Sequence, residues 1–574
     1  MYNNPIVRYI YLFITLISTN SHGQTIESKF GAFPQESIYI HYTSSFSLTG
    51  EYIYYSVYCL DKQGMTFSNL SKIAYVELID DEGKTIFKHK VRLDKGRGQG
   101  DFFIPPNTAS SSCKLYGYTQ FMLNGSLSDF FQGDLVILNP YTNQQNKFIE
   151  KKGLNKSKNQ IYSLGDDGNQ IILSLNKQKF SKREKVELEL SMLSKIPKAF
   201  SFSLSVRRKD GLDSPPIPTT KNHAIANSSI NLRDYSLLPE LRGELISGRL
   251  LSNETSEAIP NETMVVSIPG QNYFFTTSKT DENGVFFINL ADYDGEEIFF
   301  NSLTNDNEFK IVLNTHKKLK TEDTLFYNFY LDRKMKKEIV ERSVRNQIEN
   351  NYFLYKPDSV RLKSDKIPFY GNNGKHYILD EYTRFNTFRE TIIEILKDVT
   401  IKRSGGATFI EVSNDNQSGF SPLILVNGLY TDNYEKLLEF DARKIKKVNV
   451  LPNKFVHGTQ VYQGILDITT FDNEYGEFLE FKQPNRFSLF TPQSKKHYFK
   501  QVYDEESNSN NRLPDFRTQL TWMPGVSMNS ASNIIDFFTS DVGGEYEISI
   551  EGFSNDLKPI SIKKVFFVEN IINK

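Results

Sequence analysis

Short runs of apolar, β-branched and aromatic residues alternate with turn residues in the first quarter of the chain. From Glu36 to about Leu138 such runs recur about every ten residues, and turn segments such as Leu48–Gly50 and Asp80–Gly83 separate them. Alternation of this kind is typical of half-buried strands, and strands at this spacing are typical of antiparallel sandwiches. The pattern predicts a β-sandwich over residues 24–145.

The same strand pattern returns in three later segments. Residues 160–235 contain the alternating run Val186–Leu190, and residues 240–315 contain a tight turn that leads into a Phe-rich run. Residues 513–574 contain a further alternating run at Glu545–Glu551. The sequence therefore predicts a second and a third sandwich and a C-terminal β segment.

Residues 376–475 have a different hydrophobic period. An apolar stripe with a spacing of three to four residues predicts a helix at the start of this segment. The members of the stripe are Phe385, Phe388, Ile392, Ile395 and Val399. The continuous apolar run Leu423–Val426 and the later run Gly464–Thr470 are predicted strands. A helix placed between strands indicates an α/β unit.

Two charged or polar segments flank this α/β unit and are predicted to be linkers. They cover residues 316–375, in which Lys334–Asn350 is predicted to form a charged helix, and residues 476–512. Together the patterns predict a mainly β fold, with a string of β-sandwiches plus one small α/β domain. At about 150 residues per domain, the length of 574 residues fits three or four such units.

The N-terminus has the features of an export signal. Arg8 supplies a positive charge, the apolar stretch Tyr9–Ile17 is too short to span a bilayer, and the small residues Ser21 and Gly23 provide a cleavage site. The alternative is a buried N-terminal strand or helix, but the polar break after the apolar stretch favours the signal. We therefore expect residues 1–23 to be a signal peptide, and no later run is long enough to predict a transmembrane helix.

Composition excludes several classes of function. The 68 basic and 69 acidic residues nearly cancel, whereas a nucleic-acid-binding protein usually has an excess of basic residues. The two cysteines and eight histidines form no HExxH or Cys/His cluster, so the sequence makes no case for zinc. The spacing in Gly371–Lys375 is wrong for a phosphate-binding loop, and the acidic cluster Asp80–Glu82 lacks the spaced ligands of a calcium loop. We expect a non-enzymatic protein with no catalytic residues, no metal and no cofactor.

Cys59 and Cys113 are the only cysteines in the chain. Cys59 ends one predicted strand and Cys113 begins another, so a disulfide is geometrically natural if these strands are antiparallel neighbours. In an exported protein the bridge is favoured, and its loop would contribute about 4 kcal/mol in the chain-entropy model. The alternative is two buried thiols.

Several segments resemble domains of a family of exported Bacteroidota proteins. The run ESIYIHYTSSFSLTGEYIYYSVYCLDKQG at Glu36–Gly64 is similar to the macroglobulin-type β-sandwich at the front of that family. Asn176–Ser191 resembles the opening of a second macroglobulin-like domain, and Leu513–Phe553 resembles the closing macroglobulin-like segment. The segment that begins at Gly243 resembles the carboxypeptidase-regulatory-like fold. The resemblance implies a string of Ig/macroglobulin-like sandwiches.

The α/β segment Phe420–Phe471 resembles the plug domain of TonB-dependent outer-membrane receptors. The residues that carry this plug-like motif are Pro422, Asn427, Gly428, Gly458, Gly464, Thr469 and Thr470. Asn427 stands where the plug pattern usually has Asp, and both residue types hydrogen-bond locally in turns. Residues 472–574 are too few to build the twenty-two-stranded barrel of such a receptor. The resemblance therefore implies a plug-like domain without a barrel of its own.

These resemblances imply a non-enzymatic scaffold that acts at the outer membrane. Its plug-like and β-sandwich domains would dock with outer-membrane proteins such as a barrel or a TonB-dependent transporter. The expected location is the periplasm or the outer membrane, with the cell surface as a further alternative. The alternative function is an accessory protein of TonB-dependent uptake or protein export that contacts a glycan or a peptide. Tyr52, Tyr54 and Tyr55 are candidate contacts for it, although such residues are more often core or cross-strand pairs.

Overall fold

The computed structural model shows a mainly β protein with three β-sandwiches and one small α/β unit, which confirms the predicted fold class. The structure describes residues 35–143, 148, 170–193, 199–212, 214–225, 237–291, 293, 295–303, 309–314, 318–319, 321–322, 324–360, 367–412, 419–472, 475–476, 485–503 and 513–570. The predicted signal peptide, residues 1–23, lies outside the described residues. No helix among the described residues is long and apolar enough to cross a membrane.

The first sandwich contains two sheets with a shared aromatic core. One sheet contains β1 (Glu36–Tyr42), β3 (Tyr52–Asp61), β4 (Thr66–Phe67) and β7 (Arg97–Phe103). The other contains β2 (Phe46–Leu48), β9 (Phe131–Leu138), β8 (Ser111–Tyr118), β5 (Ile73–Asp80) and β6 (Thr85–Arg92), in that spatial order. Successive residues of a strand point to opposite faces. In β3, Ile53 and Tyr55 are therefore buried in the core, whereas Tyr52 and Tyr54 lie half-buried on the other face.

The predicted disulfide is wrong, because Cys59 and Cys113 are two buried thiols. Cys59 lies on β3 and Cys113 lies on β8, so the two strands belong to opposite sheets of the sandwich and are not neighbours. The Cys59 thiol donates to Oε1 of Glu36 at 3.5 Å, and Cys113 Sγ lies 3.2 Å from Ser111 Oγ. Burial, with the nearby Glu36 carboxylate, raises the pKa of the Cys59 thiol.

The second sandwich is built from two segments that are far apart in the sequence. Its three-stranded sheet contains β10 (Ile171–Leu175), β12 (Lys185–Met192) and β31 (Ser532–Phe538). Its five-stranded sheet contains β11 (Lys179–Phe180), β33 (Pro559–Val568), β32 (Gly544–Ser554), β13 (Phe200–Arg208) and β30 (Gln519–Met528), in that order. The prediction of separate units at 160–235 and 513–574 is therefore wrong. Each segment alone leaves an apolar face open, and the common core covers both faces.

The third sandwich recruits a strand from a predicted linker. One sheet contains β17 (Val285–Leu290), β14 (Glu244–Ser252) and β19 (Phe309–Leu313). The other contains β16 (Phe274–Lys279), β15 (Thr263–Ile268), β18 (Glu297–Ser302) and β28 (Asn485–Ser488). Because β28 pairs with β18, part of the segment 476–512 belongs to this sandwich rather than to a linker.

The α/β unit is a five-stranded mixed sheet with two short helices and a hairpin on one face. The sheet contains β21 (Lys375–Ile378), β26 (Ile445–His457), β27 (Gln460–Thr470), β24 (Leu423–Val426) and β25 (Leu429–Tyr430), with β24 parallel to β27. The hairpin is β22 (Val399–Ser404) and β23 (Ala407–Val412). The two helices are α3 (Phe388–Glu394) and α4 (Tyr434–Glu439). The apolar stripe predicted a longer helix, but Asp398 turns the chain with a φ of 68° and Val399 begins β22.

Two further helices lie outside the α/β unit. The helix α1 (Thr220–Ile225) lies in the Pro- and Ser-rich region before the third sandwich, and the helix α2 (Lys336–Asn351) lies where a charged helix is predicted. Ile339 and Arg342 of α2 are buried against the first sandwich. The short strands β20 (Ser359–Val360) and β29 (Lys496–His497) pair with each other. The predicted linkers therefore pack closely on the folded units.

Candidate functional site

The two faces of the α/β sheet have different neighbours. One face packs on α3, α4 and the hairpin, in a core that includes Phe388, Leu437 and Ile468. The other face packs on the third sandwich, where Leu423 and Ile465 lie in one cluster with Val265 and Phe275. The sheet that carries the plug-like motif is thus covered on both sides by this chain. We call the contact between the third sandwich and the α/β unit the junction.

Asn427 and Thr470 of the plug-like motif meet at the end of two parallel strands. Asn427 follows β24 with a φ of 49°, a left-handed conformation that Asn adopts more readily than most residues. Its Nδ2 donates to Thr470 Oγ1 at 2.7 Å, and its Oδ1 accepts the Thr470 backbone N–H at 2.9 Å. The Asn427 side chain therefore joins the two strand ends, as expected for a locally bonding Asn or Asp in a turn.

Two glycines of the motif contact the third sandwich directly. Gly428 has a φ of 84°, and a Cβ added there would lie 2.2 Å from the Cβ of Tyr273. Gly458 has a φ of 59°, and a Cβ added there would lie 2.2 Å from Thr277 Oγ1. Both positions require glycine for conformation and for close approach. These two residues are therefore part of the junction and are covered by the chain itself.

The remaining motif residues lie within the α/β unit. Gly464 in β27 has a φ of 82°, and a Cβ there would lie 2.2 Å from the Val412 carbonyl oxygen. Pro422 is buried directly before β24, and Thr469 is half-buried in β27 opposite Lys447. The structure brings Asn427 and Thr470 together, whereas the other motif residues shape separate parts of one sheet.

Replacing Gly428 by alanine is expected to destabilise the protein by about 3 kcal/mol, from the left-handed conformation and the clash with Tyr273 together. The matched control is Gly406→Ala, because Gly406 has the same φ of 84° with nothing within 4 Å of an added Cβ. The control change is expected to lose only about 1 kcal/mol. Urea unfolding of both variants measures the difference, and equal losses would contradict the close contact at the junction.

Asp467 is a buried carboxylate at the junction that the sequence analysis did not single out. Tyr273 of the third sandwich and Tyr370 before β21 both donate to its Oδ2, at 2.9 and 2.6 Å. Burial raises the pKa of Asp467, although the two tyrosine hydrogen bonds oppose that rise. Its Oδ1 has no hydrogen-bond partner among the described residues. The one signal in the sequence was a charged residue inside the apolar run Gly464–Thr470.

The junction also contains a cavity of about 560 Å³, which is in the size range of small-molecule sites. Phe275 and Phe369 stack at 5.3 Å between ring centroids in its wall, and the His457 ring lies 4.7 Å from Phe369. Burial lowers the pKa of His457, so its imidazole is neutral at neutral pH. Among the described residues, His457 Nε2 has no hydrogen-bond partner. Rings and neutral polar groups therefore dominate this cavity.

A buried ion pair connects the first sandwich to the third. Lys90 of β6 forms it with Glu244 of β14, and both side chains are 2% exposed. Tyr293 donates to the other oxygen of Glu244 at 2.8 Å, and the Tyr75 hydroxyl of the first sandwich lies 3.3 Å from both oxygens of Glu240. Buried charges persist when they are paired and hydrogen-bonded. The two sandwiches are therefore held by specific polar contacts.

The turns considered as ligand loops have ordinary local roles. Asp80 Oδ1 accepts the backbone N–H groups of Glu82 and Lys84, at 3.1 and 2.8 Å, so the carboxylate closes its own turn. The backbone N–H of Gly371 donates to the Pro368 carbonyl in a second turn. In the part of the chain that the structure describes, no group of three or more His, Cys, Asp or Glu residues could hold a metal ion.

No protein-family model matches the chain, and no curated protein matches it. Among solved structures it is similar to Escherichia coli alpha-2-macroglobulin activated by porcine elastase, with 6% identity and a TM-score of 0.24 over 93% of this chain and 44% of that chain. It is also similar to Salmonella alpha-2-macroglobulin reacted with methylamine, with 8% identity and a TM-score of 0.24 over 93% of this chain and 39% of that chain. The Escherichia coli adhesin FdeC matches with 11% identity and a TM-score of 0.14, over 47% of this chain and 60% of that chain.

The chain thus spans less than half the length of the macroglobulins it matches. The strand order of this chain gives three β-sandwiches and one mixed α/β sheet.

Proposed function

We propose that the protein is an exported, non-enzymatic scaffold that acts at the outer membrane. The observation that supports this proposal is that polar groups connect the folding units through buried contacts. Lys90 and Glu244 join the first and third sandwiches, and Tyr273 and Asp467 join the third sandwich to the α/β unit. Breaking buried pairs of this kind is strongly unfavourable, so the units keep one relative arrangement. A fixed arrangement of several surfaces suits a scaffold.

The first and second sandwiches are joined in the same way. His41 Nδ1 lies 2.7 Å from Ser203 Oγ, and the Tyr58 hydroxyl donates to the same oxygen at 3.0 Å. Burial lowers the pKa of His41 to about 3, so this histidine stays neutral and the contact persists across physiological pH. Buried hydrogen bonds or ion pairs thus connect all four units, the first sandwich to the second and the third, and the third sandwich to the α/β unit.

The docking surface for an outer-membrane protein is the hairpin of the α/β unit. The third sandwich covers Gly428 and Gly458 of the motif, so a partner has to use another surface. The hairpin presents the cations Lys402 and Arg403 close to its Gly405–Gly406 tip. Lys402 lies opposite Phe409 in the register, and the Phe409 side chain is 41% exposed beside Tyr434. An apolar ring next to a cation suits a partner loop with apolar and acidic side chains.

Affinity purification of the full chain from detergent-solubilised membranes is expected to return an outer-membrane barrel protein. The double variant Arg403→Glu, Phe409→Ser is expected to lose most of that partner. The matched control is Phe567→Ser in the second sandwich, because Phe567 is 47% exposed and lies far along the chain from the hairpin. Recovery of no outer-membrane protein, or equal recovery with the hairpin variant, would contradict the proposal.

The second candidate function is an accessory protein of uptake or export that contacts a glycan or a peptide. The junction cavity favours it, because stacked rings such as Phe275 and Phe369 beside amide groups such as Gln271 and Asn272 can bind either ligand. Isothermal titration with oligosaccharides and with short peptides distinguishes this function from scaffolding alone.

A further inference from the structure

The strand β30 borders two cavities along most of its length. It is the outermost strand of the five-stranded sheet among the described residues. A cavity of about 170 Å³ lies beside Gln519–Trp522, and a cavity of about 550 Å³ lies beside Trp522–Ser527. Tyr498 and Trp522 line both cavities. We call the two cavities together the β30 cleft.

Aromatic rings line the middle of the β30 cleft. Tyr54 lies 5.0 Å from Tyr498 in an edge-to-face arrangement and 6.4 Å from Trp522 in a stacked one. Tyr52 stacks at 5.8 Å on Tyr54 and at 5.9 Å on Phe353. Two of the three predicted contact tyrosines, Tyr52 and Tyr54, therefore line this cleft. The third, Tyr55, is buried in the core with its hydroxyl 2.8 Å from His89.

Each cavity also has an arginine that donates no hydrogen bond to a carboxylate of the described residues. Arg97 donates to Ser201 Oγ at 2.7 Å, and it forms no ion pair with any described residue. Arg207 donates to the Thr43 carbonyl at 3.2 Å, and its nearest carboxylate oxygen among the described residues lies 3.9 Å away on Glu51. A guanidinium group has five donors, so both arginines retain the capacity to bind an anion.

The spacing of the two arginines indicates the length of a ligand. Arg207 lies on β13. Ser201, which accepts the hydrogen bond from Arg97, lies on the same strand, six residues earlier in the sequence. At about 3.3 Å per residue that separation is about 20 Å. An extended peptide of about seven residues spans the same distance.

A further polar group in the β30 cleft has no partner. Trp522 is 5% exposed, and its indole N–H has no hydrogen-bond acceptor among the described residues. Buried donors without acceptors are rare in proteins and call for an explanation. A backbone carbonyl of a ligand placed beside this ring could accept that bond.

We propose that the β30 cleft binds an extended acidic peptide that carries at least one aromatic side chain. A carboxylate side chain near each end of the peptide contacts Arg97 or Arg207, and its aromatic side chain packs among Tyr54, Tyr498 and Trp522. The peptide is preferred over an acidic glycan because an outermost strand offers backbone groups that pair with another extended chain. This proposal does not depend on docking at the hairpin.

Trp522 is the only tryptophan of the chain, so its fluorescence reports on the cleft directly. The probe is a blocked peptide of about seven residues that alternates Glu and Phe, and the comparison peptide replaces each Glu by Lys. We expect the Glu peptide to change the Trp522 emission saturably, with an affinity that falls as salt is added. The Lys peptide is expected to bind at least about tenfold more weakly. Equal responses to both peptides, or no response to the Glu peptide, would overturn the proposal.

Arginine substitutions distinguish binding in the β30 cleft from general electrostatic attraction between the peptide and the protein. Arg97→Gln and Arg207→Gln are each expected to weaken the Glu peptide on the order of tenfold. The matched control Arg249→Gln, at an exposed position of β14, should leave the affinity unchanged. Because Arg207 is buried, thermal unfolding of its variant is measured in parallel, and Arg97→Gln alone suffices for the test if the fold is damaged. An acidic oligosaccharide that binds while the Glu peptide does not would also overturn the peptide assignment.

Discussion

Replacing Lys90 by methionine is expected to lower the free energy of unfolding by about 3–5 kcal/mol. The change leaves Glu244 as a buried carboxylate whose cation has been removed, while the Tyr293 hydroxyl still donates to it. Both sandwiches lose stability at once, because the pair lies between them. Equilibrium unfolding in urea, followed by far-UV circular dichroism, measures the loss.

Lys88 provides the matched control on the same strand. Its Nζ lies 3.4 Å from Oε2 of Glu77, but the Lys88 side chain is 24% exposed and is therefore partly solvated. Exposed ion pairs contribute about 0–1 kcal/mol, so Lys88→Met is expected to have a small effect. A similar loss for both variants would show that the first and third sandwiches do not depend on the buried pair.

The second large effect is a dependence of stability on pH at Glu240. Burial, together with the neighbouring Glu244, raises the pKa of this carboxyl to about 8 against the opposing effects of the Leu245 N–H and Lys90. In the unfolded chain the pKa is near 4.5. Between these two values the folded protein holds a proton that the unfolded chain has released. Stability from this group is therefore present below pH 4.5 and is lost as the pH rises towards 8, by on the order of 3 kcal/mol.

The substitution Glu240→Gln removes that titration and keeps the shape of the side chain. The variant is expected to unfold at a higher urea concentration than the unchanged protein at pH 8, and the difference should shrink towards pH 5. Urea midpoints at half-unit pH steps measure it. A constant difference across this range would mean that Glu240 is not protonated in the folded state.

Local structure followed from local pattern in several elements. The alternation in Tyr52–Tyr55 placed one set of side chains in the core and the other on the opposite face, as the strand period requires. The Asn427–Gly428 pair adopted the left-handed turn that these residue types favour. The apolar spacing around Phe388 and Ile392 formed a helix, with Thr387 and Glu390 as its capping box.

Pairing across long distances in the sequence could not be predicted in the same way. The strand β12 pairs with β31, and in this pair Val186 lies opposite Phe537, about 350 residues later in the sequence. Nothing in either run specifies the other, since many strands of this chain share the same alternation. The disulfide prediction failed for the same reason, because it assumed that the strands of Cys59 and Cys113 were neighbours. The candidate site was predicted only in part, because the contact of Gly428 with Tyr273 depends on how two units pack.

By itself, the sequence determined the mainly β character of the chain, the positions of most strands and turns, and the change to α/β structure near residue 376. These features depend on residues within one strand or helix of each other, where period and turn chemistry act directly. Only the tertiary structure decided that the two ends of the second sandwich fold together, that Lys90 meets Glu244, and that Trp522 lies in a cleft between units. Such contacts are chosen by the burial of whole faces and the pairing of buried charges, which no local pattern contains.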